Sequence, residues 1–217
     1  MESYTDIVTP SHGQRMSSYY SWQAGIYDAT RWMFLYDRDT ILADLKIAPG
    51  ETVIEVGCGT GRNLGSVVRR VGEQGRVLAV DCAEPMLSRC AARIKRNDWK
   101  NTRLVECEYG STPVSGGEAD VVLMSYSLSM IPNWIQALEC AGRDLKPGGR
   151  IGVLDFCLAG QSPVAMGFSR WMALNHVALD RPYLEKLSSA FLPIRSEMQK
   201  AFGGLWRYYR FIGQKPQ

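Results

Sequence analysis

Histidine is scarce in this chain: only His12 and His176 occur among 217 residues, far apart in sequence. The six cysteines (Cys58, Cys82, Cys90, Cys107, Cys140 and Cys157) form no C-x-x-C pair. These two shortages argue against a zinc site or other metal centre and against a disulfide framework. The cysteines read as reduced core residues of a cytosolic protein. A net charge of +3 is too small to argue for nucleic acid as a partner. No apolar run reaches the roughly 18 residues of a membrane span. Met1 to Pro10 is polar and lacks the basic and apolar regions of a secretory signal. No internal repeat is present. The expected location is cytoplasmic, with lying on the inner face of a membrane still open.

What is present suits a globular domain. With 46% hydrophobic and 22% charged residues, the length fits one domain with a full core and a short N-terminal extension. The charge is unevenly spread. Arg195, Lys200, Arg207, Arg210 and Lys215 stand against the single acid Glu197. Such an excess is either a solvated face or a patch for anionic headgroups.

The spacing predicts helices over 14–25 and 27–45, unusually rich in tyrosine and tryptophan, and assigns residues 1–48 to an N-terminal helical cap over the substrate's access. Strands are predicted at 52–57, 76–81, 102–107, 119–125 and 149–156, with helices at 61–71, 84–97 and 131–146. Strands alternating with helices imply right-handed crossovers and a mostly parallel sheet within 49–217. After a helix at 182–190, two strands at 194–200 and 206–213 read as a hairpin closing the sheet edge.

The richest motif is Glu55-Val56-Gly57-Cys58-Gly59-Thr60-Gly61, between the first strand and helix. Its glycines let the backbone turn tightly and approach a ligand closely. The second strand ends on Asp81, and an acid there can accept both hydroxyls of a ribose. The third strand ends at Glu106-Cys107-Glu108, placing a carboxylate where an adenine amino group can be read. Leu145-Lys146-Pro147-Gly148-Gly149-Arg150 makes a turn into the fifth strand. The order E-x-G-x-G-x-G differs from the G-x-G-x-x-G of hydride-transfer folds.

This set, covering about residues 50–157, resembles the class I S-adenosylmethionine-dependent methyltransferases. The resemblance implies an α/β Rossmann-like fold with a seven-stranded sheet of order 3-2-1-4-5-7-6 and strand seven antiparallel. It places Gly57, Cys58, Gly59 and Gly61 beside the cofactor's methionine part, with Glu55 receiving the amino group. Asp81 and Cys82 would hold the ribose, and Met86 would pack on adenine. Glu108 and the backbone of Tyr109 would read the adenine edge, with Ser125 nearby.

A narrower resemblance lies in Tyr20-Ser21-Trp22-Gln23-Ala24-Gly25-Ile26-Tyr27, continuing to Asp39, and in Ser125 to Trp134. These segments are similar to bacterial aminolipid N-methyltransferases, such as those that methylate diacylglyceryl-homoserine, phosphatidylethanolamine or ornithine lipid. The implied partner is a lipid with an amine headgroup, the cofactor is S-adenosylmethionine, and membrane contact is peripheral. The expected catalytic residues are Tyr126, Asp155, Tyr20 and Tyr27; Tyr19, Arg31, Arg207 and Tyr209 are expected to contact substrate. Two alternatives stand beside these roles. Asp155 caps a neighbouring loop, and the N-terminal aromatics pack helices. The apolar segment Val164–Leu174, with one arginine, reads either as an interfacial surface or as a buried lid.

Overall fold

In the computed structural model, which describes residues 37–158, 163–201 and 206–217, helices and strands alternate along the chain. They run α1 (Arg38–Asp44), β1 (Thr52–Val56), α2 (Leu64–Val71), β2 (Arg76–Asp81), α3 (Glu84–Arg96), β3 (Thr102–Glu106) and β4 (Ala119–Ser125). A 3-10 turn (Leu128–Met130) leads to α4 (Trp134–Asp144), β5 (Leu145–Cys157), α5 (Pro163–Leu174), α6 (Tyr183–Ala190), β6 (Leu192–Ala201) and β7 (Trp206–Gln214). The sheet order is β3-β2-β1-β4-β5-β7-β6, with β7 antiparallel to both neighbours. This is the order and the reversal that the motif resemblance implies.

Period-two alternation sorts the strand side chains onto two faces. Val53, Ala79, Val121, Leu123, Leu154 and Ile212 meet α1 and α2 through Ile41, Leu42, Leu64 and Val67. Ile54, Val80, Val122, Met124, Val153 and Phe211 meet α4 and α6 through Ala137, Leu138, Tyr183 and Leu187. β1 is buried along its whole length, Glu55 included, as cover on both faces of the sheet implies.

Several boundaries differ from the sequence reading. The helix expected at 61 starts at Leu64, because Gly59 and Gly61 take φ of 54° and 76°, outside the right-handed helical region. The helix expected over 131–146 is confined to Trp134–Asp144, with Pro132 before it and β5 taking up Leu145. β5 starts four residues earlier than expected, since Leu145 already pairs with Ala119 ahead of a register shift in β4. Of the two N-terminal helices, 14–25 lies outside the described residues; within 27–45 the described helix is Arg38–Asp44.

The basic C-terminal stretch is largely used up inside the chain. Arg210, 6% exposed, lies 2.6 Å from Glu197 Oε2 and 3.3 Å from Asp37 Oδ2. Arg195 pairs with Asp44 at 2.7 Å, and Lys215 Nζ donates to the Leu145 carbonyl at 2.6 Å. Of the two readings of that charge excess, an anion patch therefore loses three of its five cations.

Candidate active site

A cavity of 410 Å³ opens where the parallel strands end, the side on which ligands bind in such sheets. Its wall comes from the ends of β1 (Val56, Gly57, Gly59), β2 (Val80, Asp81, Cys82) and β3 (Cys107 to Ser111). Met86 of α3, Tyr126 and Ser127 beyond β4, and Met130 to Asn133 with Gln136 complete it. Among the described residues, no group of three or more His, Cys, Asp or Glu is placed to hold a metal ion.

The glycine turn has two jobs, divided between neighbours. Gly57 has φ 70°, and a Cβ there would lie 2.3 Å from Ser127 Cβ. Ser127 in turn donates through Oγ to the Val56 carbonyl at 2.7 Å, locking the β1 end to the β4 end. Gly59 has φ 54° and open space above it, with no atom within 4 Å of the place a Cβ would take. The first glycine permits packing; the second leaves the cavity floor bare. Tyr126, directly before Ser127, also takes a left-handed φ of 56°, which turns its ring back onto Phe156 at a centroid distance of 4.7 Å. Left-handed backbone at a bulky residue is costly and concentrates at functional sites.

Asp81 organises the cavity's polar edge. Its Oδ2 accepts from Gly59 N–H at 2.8 Å and its Oδ1 from Ala83 N–H at 3.0 Å. Burial pushes its carboxyl above the ordinary value, against the pull of those backbone donors. Glu55 lies behind the wall, 2% exposed, with Oε1 accepting from the Asn63 amide at 2.8 Å. Its Oε2 is buried and has no hydrogen-bond partner among the described residues. Burial raises this carboxyl from 4.5 to about 7, although Asn63 and Arg38 pull the other way.

The folded protein therefore holds the Glu55 proton more tightly than the unfolded chain does. This group's contribution to stability falls as pH rises through the window from 4.5 to about 7. Glu55→Gln should gain on the wild type by up to about 3 kcal/mol between pH 4 and pH 8. Denaturant unfolding of both proteins at the two pH values checks this, and parallel pH profiles would rule out a perturbed Glu55.

Of the other expected cofactor contacts, Cys82, Met86, Glu108 and Tyr109 line the cavity. Cys58, Gly61 and Ser125 stand outside its wall; Cys58 and Ser125 Oγ are buried, and a Cβ on Gly61 would meet Cys90 Sγ at 2.7 Å. The Tyr109 side chain turns away into the core and donates to Asp144 Oδ2 at 2.8 Å.

Asp155, expected at the reaction centre, is displaced by strand parity. Leu154 and Phe156 face the side that carries Tyr126, so Asp155 faces the opposite side. There it is fully buried and accepts from Ser129 N–H at 2.8 Å, Ser129 Oγ at 2.7 Å and Phe156 N–H at 2.8 Å. Burial lifts it to about 6 against those bonds. It caps the 3-10 turn that leads to Met130 and Ile131 of the wall. Tyr209 follows the same parity: paired with Asp155, it is 1% exposed and stacks on Tyr183 at 5.8 Å, away from the cavity. Arg207 also lies off the wall, opposite Cys157. The tyrosine of β7 on the Tyr126 face is Tyr208, which donates to Asp37 Oδ2 at 2.9 Å. Its antiparallel pairing with Phe156 was the missing signal. Tyr19, Tyr20, Tyr27 and Arg31 lie outside the described residues.

Residues 53–149 match the family model described as "Methyltransferase domain". Over that span, just under half of the chain, the sequence is similar to methyltransferase domains. Among relatives, the arsenite methyltransferase of Halobacterium salinarum is 31% identical over 50% of this chain and 28% of its own length. The nocamycin O-methyltransferase of Saccharothrix syringae is 37% identical over 60% of this chain and 47% of its own. The chain thus spans about half, or less, of the length of these relatives. Among solved structures, an S-adenosylmethionine-dependent methyltransferase of Aquifex aeolicus superposes with a TM-score of 0.67 at 20% identity, covering 90% of this chain and 97% of that one. Phosphoethanolamine N-methyltransferase 2 of Haemonchus contortus, in complex with S-adenosyl-L-methionine, gives 0.77 at 16%, covering 97% and 61%. At such identities the likeness is one of fold. The cavity sits where the glycine turn, Asp81 and the β3 end converge.

Proposed function

We propose that the protein is an S-adenosylmethionine-dependent N-methyltransferase whose acceptor is the amine headgroup of a membrane lipid. The residues present fit that cofactor. Gly59 leaves the floor open, Asp81 offers a carboxylate to a ribose, and Glu108 and the Tyr109 backbone edge an adenine seat. The orphaned, buried Glu55 Oε2 is the kind of acceptor that a cationic amine satisfies. When bound, S-adenosylmethionine supplies an electrophilic methyl group on a sulfonium. The protein's own task is to orient the acceptor nitrogen and exclude water.

Tyr126 is placed for that task. Burial pushes its phenol upward, with Asp155 and Tyr208 adding to the rise. It therefore stays protonated at neutral pH and serves as an oriented hydrogen-bonding group and a ring face rather than as a base. Aromatic faces also suit the permanent cation left after repeated methylation, each contributing about 0.5–2 kcal/mol. Tyr126→Phe is expected to lower kcat by about tenfold, the worth of one well-placed hydrogen bond. Wild-type turnover in the variant would return the hydroxyl to a packing role.

The observation that carries the lipid half is α5. An ordinary surface helix turns polar residues outward. Here Met166, Trp171 and Leu174 are 61%, 48% and 75% exposed, while Met172 packs inward and Arg170 is the helix's lone charge. An outward face of methionine, tryptophan and leucine with one cation suits the headgroup–acyl boundary of a bilayer. The chain after α5 reaches the cavity wall: Ala178 N–H donates to Ser129 O at 2.9 Å and Arg181 Nη1 to Ile131 O at 2.7 Å. No helix among the described residues is long and apolar enough to cross a membrane, so the contact proposed is peripheral. The resemblance of residues 20–39 and 125–134 to aminolipid enzymes makes diacylglyceryl-homoserine the first acceptor to test, ahead of phosphatidylethanolamine and ornithine lipid.

The test is methyl transfer from labelled S-adenosylmethionine to liposomes carrying each lipid in turn, followed by extraction and mass analysis. Label in one lipid names the acceptor and counts the methyl groups. Label in none, with cofactor bound, moves the acceptor to soluble amines or other small molecules.

A further inference from the structure

The stretch between β3 and β4, residues 107–118, contains no helix or strand, yet Cys107 to Ser111 form one wall of the cavity. Gly110, Gly116 and Gly117 adopt φ of 135°, 66° and 91° within it. Beyond the bond from Cys107 N–H to the Asp81 carbonyl at 3.1 Å, a segment with three left-handed glycines has little shape of its own. Fixing each residue costs backbone entropy. Something outside the loop has to define it.

That something is a single carboxylate. Asp144, the last residue of α4, is fully buried. Its Oδ2 accepts from Tyr109 Oη at 2.8 Å. Its Oδ1 accepts from Ser115 N–H at 2.6 Å and Ser115 Oγ at 2.9 Å. Ser115 Oγ also lies 2.9 Å from the Asp144 carbonyl oxygen. Both ends of the 109–115 segment are thus tied to one side chain. Between them the backbone lies close on the helix: a Cβ on Gly110 would sit 3.2 Å from Ala137 N, and Arg143 Nη2 reaches the Gly110 carbonyl at 3.4 Å. The Tyr109 phenol is pushed upward by burial and by Asp144, so it stays a donor at any ordinary pH. The same helix carries Gln136, which also lines the cavity, with Asn133 just before its first turn.

We infer that Asp144 is a positioning residue for the cofactor's nucleobase, holding the 107–118 loop in the shape that makes the adenine seat although it does not line the cavity itself. The inference rests on the S-adenosylmethionine reading above. It differs from a general staple of the fold in one respect: its effect is confined to the base.

Tyr109→Phe removes one donor from the network. Asp144→Asn keeps the shape but turns an amide donor toward either Tyr109 Oη or Ser115 N–H. Calorimetric titration of the whole protein and both variants would use S-adenosylhomocysteine and S-ribosylhomocysteine, which is the same molecule without adenine. Each variant should bind the first about tenfold more weakly and the second within about twofold of wild type. Equal losses for both ligands, or none for the first, overturn the inference and leave the methyltransferase reading standing. A wild type that fails to bind S-adenosylhomocysteine overturns that reading and the inference with it. Hydrogen exchange gives a second readout that does not depend on the weaker ligand. Exchange in the variants should quicken within 107–118 and not in the 57–61 turn; quickening in both would make Asp144 a general staple.

Discussion

Asp81→Ala should weaken S-adenosylhomocysteine binding by about two orders of magnitude. A ribose placed against this carboxylate gains two charge-assisted hydrogen bonds, each contributing about 1.5–3 kcal/mol. Losing a little over 3 kcal/mol net is a factor of about two hundred. The residue also shapes the cavity before any ligand arrives, since Gly59 N–H and Ala83 N–H both donate to it. Alanine leaves those two donors without their acceptor, so the glycine turn loosens as well. Asp81→Asn separates the effects, because its amide oxygen can keep one backbone bond while the charge is gone. The asparagine variant should fall between wild type and alanine in a calorimetric titration. An alanine variant that binds within about twofold of wild type would remove Asp81 from the ribose site.

Gly57→Ala should cost about 3–5 kcal/mol of stability, more than its neighbour Gly59→Ala by a clear margin. At Gly57 the added methyl would stand 2.3 Å from Ser127 Cβ, and the backbone holds φ 70°. Left-handed backbone alone costs about 1–2 kcal/mol for a residue with a Cβ. Moving Ser127 adds the lost bond to the Val56 carbonyl and the strain of overpacking. At Gly59 the conformational cost is similar, but no atom lies within 4 Å of the new methyl. Gly59→Ala should therefore unfold only about 1–2 kcal/mol earlier and lose cofactor affinity instead, because its methyl enters the cavity. Denaturant midpoints for the pair, read beside ligand titrations, give the contrast. Equal midpoints would mean that Ser127 yields freely and that the β1–β4 lock contributes little.

The strand–helix alternation was legible because glycine and proline punctuate it and because the two periods differ. The places of Glu55, Gly57, Gly59 and Asp81 were legible because each is set locally, by a strand end or a turn. What escaped were residues that act through partners distant in sequence. Ser127 reaches Val56, Ser129 reaches Asp155, and Asp144 reaches Tyr109 and Ser115. Nothing in the local pattern around Asp144 marks it, since an aspartate at a helix end usually reads as a solvated residue. Asp155 took the second of its two expected roles, capping a neighbouring loop, and Tyr209 left the cavity, both for another reason. A strand end can be found from the sequence, but which face a given residue takes depends on register, and one step moves it to the far side of the sheet. The same step makes Tyr208 the neighbour of the Tyr126 face.

The place of β7 in the sheet also governs the order in which the molecule can be assembled. β6 is made first, yet its ladder partner in the sheet is β7, which alone joins it to β5. As the chain emerges from the ribosome, β6 has nowhere to dock until the next strand has been synthesised. During that interval Leu192, Ile194 and Met198 sit on an unpaired strand, and the free edge of β5 is open as well. Both are templates for pairing with a neighbouring nascent chain. On arrival, β7 pairs with both strands in a single docking event, and β6 then stands as the edge strand of the described sheet.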